Sequence, residues 1–186
     1  LEDSEGDARL LLTRAVECAS NSTELWLALA RLQEDTDSAR QVLNRARLAC
    51  PKSFSIWINA ARLEEANDST PKEINAILTR GAAELSAQGV DLSFEDWRKE
   101  AEDCELGGDF VCATELIKIG VDLALSTDSE GSKTKIIEYS KAPGNTPKCS
   151  RNALTALLHR ERDRKEAIKA LLDLLKENNG DDPGSS

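Results

Sequence analysis

The sequence predicts an all-α fold, an α-solenoid of stacked helix-turn-helix hairpins, and three observations carry that expectation. Tryptophan occurs three times, at Trp26, Trp57 and Trp97, and an alanine follows each by one helical turn, at Ala30, Ala61 and Ala101. Upstream of each tryptophan lies an amphipathic segment carrying Arg14-Ala15, Arg45-Ala46 or Arg80-Gly81. Hydrophobic residues make up 40% of the 186 positions but aromatics only 4%, so alanine and leucine supply most of the apolar surface. That balance favours close helix packing over a β-sandwich. The tryptophans recur after 31 and then 40 residues. A period of that size built from two short helical patterns marks a repeat whose single hairpin cannot bury its own apolar face and must stack.

The elements follow in order. Residues 7–19 read as a helix, with Ala8, Leu11, Leu12, Ala15, Val16 and Ala19 on one stripe. Asn21-Ser22-Thr23 breaks it, and residues 24–34 form the next helix around Leu25, Trp26, Leu29 and Ala30. Asp35-Thr36-Asp37 turns the chain, with Asp37 as the expected N-cap of a helix over 38–49 that Pro51 closes. The second repeat starts at Ser53, and Phe54, Trp57, Ile58, Ala61 and Leu63 mark its first helix, to about Ala66. Asn67-Asp68-Ser69 is a turn. In Thr70-Pro71-Lys72-Glu73 a capping threonine, a proline at the first helical position and a glutamate at the third form a capping box. The helix it opens runs through Ile74, Leu78 and Leu85 to near Gly89. A second box-like cap, Ser93 to Asp96, opens the third repeat, whose first helix carries Trp97, Ala101 and Cys104 and stops at Gly107-Gly108. Val111 to Ala124 give the partner helix.

Beyond this the pattern fails. Residues 126–152 are rich in Ser, Thr, Lys, Gly and Pro, hold no fourth tryptophan, and read as an irregular linker. Residues 153–178 are helical again and would cap the exposed end of the third repeat, with Gly180 as their stop and residues 179–186 as a disordered tail. The repeat region is thus 1–125.

Charge is uneven. Residues 1–127 carry 24 acidic and 13 basic side chains, a net of −11, against −10 for the whole chain. Such a surface repels a phosphate backbone, so direct RNA binding is not expected of 1–127, and protein partners are. The apolar runs are too short for a membrane span. The sequence opens Leu1-Glu2-Asp3-Ser4-Glu5 without a signal-peptide pattern and contains no Met, so it reads as a fragment excised from something longer. The five cysteines, Cys18, Cys50, Cys104, Cys112 and Cys149, form no CxxC pair and read as small packing residues of a reducing compartment. With His159 the only histidine, neither a zinc site nor Ser-His or Cys-His catalysis is expected. GxGxxG, P-loop, HExxH and GxSxG patterns are absent from the sequence. No cofactor, no metal and no enzymatic activity are expected. Trp26, Ala30, Trp57, Ala61, Trp97 and Ala101 are read as core positions. Arg14, Arg45 and Arg80 are read as structural too, pairing with a carboxylate such as Glu64 or lying over the core. The acidic run Glu100, Glu102, Asp103 is the candidate docking surface for a basic partner segment.

The Trp57, Ala61, Leu63-Glu64 pattern, with an Arg-Ala in the second helix and a proline at the junction, resembles the HAT (half-a-tetratricopeptide) repeat. LEDSEGDARLLLTRAVE (1–17), ELWLALARL (24–32), ARQVLNRAR (39–47) and IWINAARLEEAN (56–67) resemble, segment by segment, the HAT repeats of the spliceosomal scaffolds that bridge the U5 and U4/U6 particles of the tri-snRNP. The resemblance covers about residues 1–125. It implies a nuclear protein of pre-mRNA splicing that works by contact with snRNP proteins and carries no catalytic residues. Two alternatives stand beside it. One is a HAT scaffold of mRNA 3′-end processing, whose repeats often dimerise. The other is an RNA-contacting module using the basic helix 151–169, since residues 141–176 hold nine Lys/Arg against four Asp/Glu.

Overall fold

The computed structural model of the chain describes residues 2–127, 129–141, 151–153, 155–156, 169 and 173. Among them every element is a helix and no strand occurs. In order these are α1 (Glu2–Cys18), α2 (Thr23–Arg31), α3 (Thr36–Ala49), α4 (Phe54–Glu65), α5 (Pro71–Ala87), α6 (Phe94–Gly107), α7 (Phe110–Thr127) and α8 (Ser129–Lys141). They fall into two compact units, Leu1–Asp91 and Leu92–Ser186.

In the first unit each helix packs on the next, α1 on α2, α2 on α3, α3 on α4 and α4 on α5, and α2 also meets α4. The first helices of successive hairpins therefore lie against one another, and α3 packs on both. Val16, Trp26, Leu29, Val42, Leu43, Ala46 and Ile56 form one continuous buried cluster drawn from α1, α2, α3 and α4. This is the burial that two-helix units obtain only by stacking.

Local sequence sets the helix boundaries. Thr70 caps α5 as expected: its hydroxyl accepts from the Glu73 N–H, Glu73 accepts in return from the Thr70 N–H, and Pro71 opens the helix. Ser93 and Asp96 form the same reciprocal box on α6. The cap of α3 differs from expectation. Asp35, not Asp37, is the N-cap, its carboxylate accepting from the Ser38 N–H at 2.8 Å. The helix thus begins two residues earlier than the hydrophobic pattern, because a cap needs its oxygen within reach of the third helical N–H. Gly108 ends α6 at φ 91°, a conformation without cost only for glycine, and the Asp109 N–H returns to the Cys104 carbonyl at 2.9 Å.

In the second unit α6 packs on α7 and α7 on α8. Trp97, Ala101, Cys112, Leu116, Ile117 and Val121 are fully buried there or nearly so. Residues 129–141, expected to be irregular, form α8. Ile136, 0% exposed, and the Tyr139 hydroxyl bonded to Glu102 anchor it, so tertiary contacts override the Ser, Thr and Gly in its sequence. Ala153 is buried. The rest of the expected helix 153–178, its use as the basic helix 151–169, the Gly180 stop, His159, Cys149 and the tail 179–186 lie largely outside the described residues. Leu11, placed on the buried stripe of α1 by its spacing, is 64% exposed. Cys50, Cys104 and Cys112 are buried thiols, as a packing role requires, but Cys18 is exposed.

Candidate partner-binding surface

The structure buries the three repeat tryptophans with Ala61 and Ala101, whereas Ala30, expected in the core, is half-buried and lines an open cavity. Trp57 is 6% exposed and Trp97 fully buried. A Cβ added at Gly81 would lie 2.7 Å from Trp57 Cγ and Cδ2, and one added at Gly120 would lie 2.6 Å from Trp97 Cβ. The small residue of the second helix is thus the seat of the tryptophan that precedes it in the chain, not of the one that follows. Ala46, 0% exposed, occupies the corresponding place in the cluster of Trp26. Trp26 donates its indole N–H to the Ser20 carbonyl at 2.7 Å, which fixes α2 to the turn before it.

Arginines close these sites. Arg45 lies over the Trp26 ring at 5.4 Å and Arg47 over the Trp57 ring at 5.3 Å, so α3 supplies a cation to the tryptophan on either side of it. Arg47 also reaches Glu84 of α5 at 3.1 Å. Of the three repeat arginines, Arg45 lies over the core and none takes Glu64. Arg40 takes Glu64 instead, through two bonds of 2.6 and 2.8 Å, and its hydrogen bonds hold the Glu64 carboxyl below the usual glutamate range against the opposing effect of burial. Arg80 pairs along its own helix with Glu84, and Arg14 is exposed.

The acidic run separates when folded. Glu102 lies two residues from Glu100, which puts them on opposite sides of α6. Glu102 accepts from Arg98 Nη1 at 2.8 Å through one oxygen and from the Tyr139 hydroxyl at 3.0 Å through the other. Arg98 also binds Glu95 and lies over the Tyr139 ring at 5.0 Å, and Phe94 meets that ring edge-on at 5.8 Å. Glu102 is therefore part of the pin that holds α8 to α6, not a docking group. Glu100 is half-buried and Asp103 exposed.

A different surface gathers chemistry in the first unit. An open cavity of about 290 Å³ lies among α2, α3 and α4. Leu27, Leu43 and Leu63, with Ala30 and Ala39, give it an apolar floor. Arg31, Arg62 and Asn59 are its polar members. No acidic side chain lines it, which is notable in a chain of net charge −10. The signal for it is in the sequence, since Ala30-Arg31-Leu32 and Ala61-Arg62-Leu63 repeat at one distance from their tryptophans.

Among the described residues no group of three or more His, Cys, Asp or Glu could hold a metal ion, and no helix is long and apolar enough to cross a membrane. No protein-family model matches the chain, and no curated protein matches it significantly.

Proposed function

We propose that the chain is a non-catalytic protein-interaction scaffold, an α-solenoid of HAT type, that serves pre-mRNA splicing in the nucleus by helping to bridge the U5 and U4/U6 particles of the tri-snRNP. The observation that carries the scaffold reading is the hairpin-on-hairpin stacking of the first unit, where α2 packs on α4 and each repeat tryptophan is walled by a small residue and an arginine. Such a unit gives its residues to a surface rather than to a reacting centre. The splicing reading rests on sequence: residues 1–17, 24–32, 39–47 and 56–67 resemble the repeat region of pre-mRNA-processing factor six. Its partners are then spliceosomal snRNP proteins, and it needs no cofactor.

The test is an affinity pulldown from nuclear extract with the full chain as bait, with and without nuclease, read by mass spectrometry. Nuclease-resistant recovery of U5 and U4/U6 proteins is the expected result. Recovery of cleavage and polyadenylation factors instead would move the chain to mRNA 3′-end processing. Capture lost on nuclease treatment would make it an RNA-contacting module.

A further inference from the structure

The second helix of each hairpin carries one three-residue strip. In α3 it is Ala39, Val42 and Ala46, in α5 Ile74, Ile77 and Gly81, and in α7 Ala113, Leu116 and Gly120. The members stand three and then four residues apart, which puts each set on one side of its helix. In every case the tryptophan-bearing helix that comes before packs on the helix of the strip, α2 on α3, α4 on α5 and α6 on α7. Gly81 and Gly120 touch that tryptophan directly. All of these residues are buried except Ile77, which is half-buried.

α1 has the same strip at Ala8, Leu11 and Ala15. Shifted by 31 residues, α1 matches α3 position by position: Ala8-Arg9 falls on Ala39-Arg40, Leu12 on Leu43 and Arg14-Ala15 on Arg45-Ala46. α1 meets α2 through another side, where Val16 is buried and Leu12 packs on the same cluster. Its strip is left open. Leu11 is 64% exposed, and Ala8 and Ala15 are only half-buried. Cys18 extends the strip and is exposed, whereas its counterpart Ala49 packs against the core cluster. The three tryptophans belong to the hairpins of α3, α5 and α7, so these 186 residues hold none for α1.

The covered strips show what fits the open one. Each takes a helix that bears a tryptophan with an alanine one turn on. Spacing of three and four suits a helix, whereas an extended segment alternates its side chains and would meet such a strip at single points. Arg45 covers the Trp26 ring at 5.4 Å. Arg14, at the same place on α1, is exposed and stands where it would cover an incoming ring.

We propose that the Ala8, Leu11 and Ala15 strip of α1 docks an amphipathic partner helix, from outside these 186 residues, that carries a tryptophan with an alanine one turn on, the ring seated on Ala15 beneath Arg14. The proposal rests on the scaffold reading and names the chemistry of one partner element.

The probe is a fluorescein-labelled peptide of residues 21–33, which carries Trp26 and Ala30, titrated with the full chain and read by polarisation. A helix this short is marginal in water, so binding should be accompanied by a gain of peptide helicity. Saturable binding is expected. It should weaken by about tenfold or more with Leu11→Glu in the chain or Trp26→Ala in the peptide, and by about two- to fivefold with Arg14→Glu. Leu10→Glu, at a leucine also exposed but off the strip, should leave it unchanged. Circular dichroism confirms that each variant keeps its helicity, and Arg14→Glu decides the matter if Leu11→Glu does not fold. Absence of saturable binding, or binding indifferent to Leu11→Glu or to loss of the peptide's tryptophan, would overturn the proposal. So would sedimentation showing the chain to be a dimer that Leu11→Glu dissociates, since a second copy would then occupy the strip. The nuclear-extract pulldown separates the two levels. Splicing proteins recovered by a chain that binds no peptide sink the docking proposal and leave the scaffold reading standing. Leu11-dependent peptide binding with no splicing protein recovered does the reverse.

Discussion

Replacing glycine by alanine inside a helix ordinarily stabilises it by about 0.8–1 kcal/mol, and this chain allows that rule to be tested against its exception. Gly6 lies within α1, and a Cβ there would meet nothing within 4 Å. Gly81 lies within α5, and a Cβ there would stand 2.7 Å from two ring carbons of Trp57 and 3.0 Å from its Cβ. Carbon atoms pack at about 3.5–4.0 Å, so α5 and the indole would have to separate by roughly 1 Å. The ring has no room to give, being 6% exposed with the Arg47 guanidinium over its face. Overpacking of this kind costs about 1–3 kcal/mol, which outweighs the propensity gain. Net of that gain, Gly81→Ala should lose up to about 2 kcal/mol, and Gly6→Ala should gain up to about 1 kcal/mol. For a unit of this size that is a melting shift of roughly 4–8 °C per kcal/mol, in opposite directions. Urea unfolding followed by circular dichroism and by tryptophan fluorescence gives both values. A Gly81→Ala chain stabilised as much as Gly6→Ala would refute the claim that Gly81 is the seat of Trp57.

Four further outcomes are expected. Ser93→Ala should cost about 1 kcal/mol in urea unfolding, because it breaks a made capping box, whereas Ser53→Ala should cost little, since Ser53 makes no side-chain cap bond. Stability should fall as pH drops below about 4.5, and Glu64→Gln should flatten part of that fall. The Glu64 carboxyl is held below its ordinary 4.5 by Arg40, so its contribution is present above the unfolded value and disappears as pH falls through the lower, folded one, a trend read from urea midpoints against pH. Tyr139→Phe should remove about 1 kcal/mol and raise amide hydrogen exchange in α8 more than in α6, since it deletes the bond to Glu102. Arg47→Ala should destabilise by about 1–2 kcal/mol and Arg45→Ala by about 0.5 kcal/mol in the same urea assay, because only Arg47 is substantially buried over its ring and bridges to α5.

The features carried by local chemistry were legible in the sequence. The tryptophan–alanine spacing placed α2, α4 and α6, and the Thr70-Pro71-Glu73 signature fixed the start of α5 to the residue. The features that depend on what lies opposite were not. Asp35 and Asp37 look alike as caps until the reach to the Ser38 N–H is known. Glu64 could be given an arginine partner by charge alone, but finding Arg40 there, and not one of the repeat arginines, needs the packing of α3 on α4. α8 is invisible to periodicity because Ile136 and Tyr139 are held by the second unit and not by a stripe of their own. Among the candidate site residues, Glu102 was misread for the same reason: an acidic run on a helix looks solvated until an arginine and a tyrosine are found on its oxygens. Gly81 and Gly120 did carry a signal, since a lone glycine inside a helical pattern asks for a packing reason.

The frame of the repeat separates what must stay from what can vary. The tryptophan and its small seat are coupled by contact, so neither can change alone without a cavity or a collision. The position five residues beyond the tryptophan is less constrained, and its three occupants differ in sign: Arg31, Arg62 and Glu102. Where the third repeat's neighbour is α8, the occupant became a carboxylate that pins it. Where α2 and α4 leave a cavity, Arg31 and Arg62 line it. The same register position thus makes a helix-to-helix contact in one unit and lines an open cavity in the other. A repeated helical unit can thus vary its surface while keeping one core.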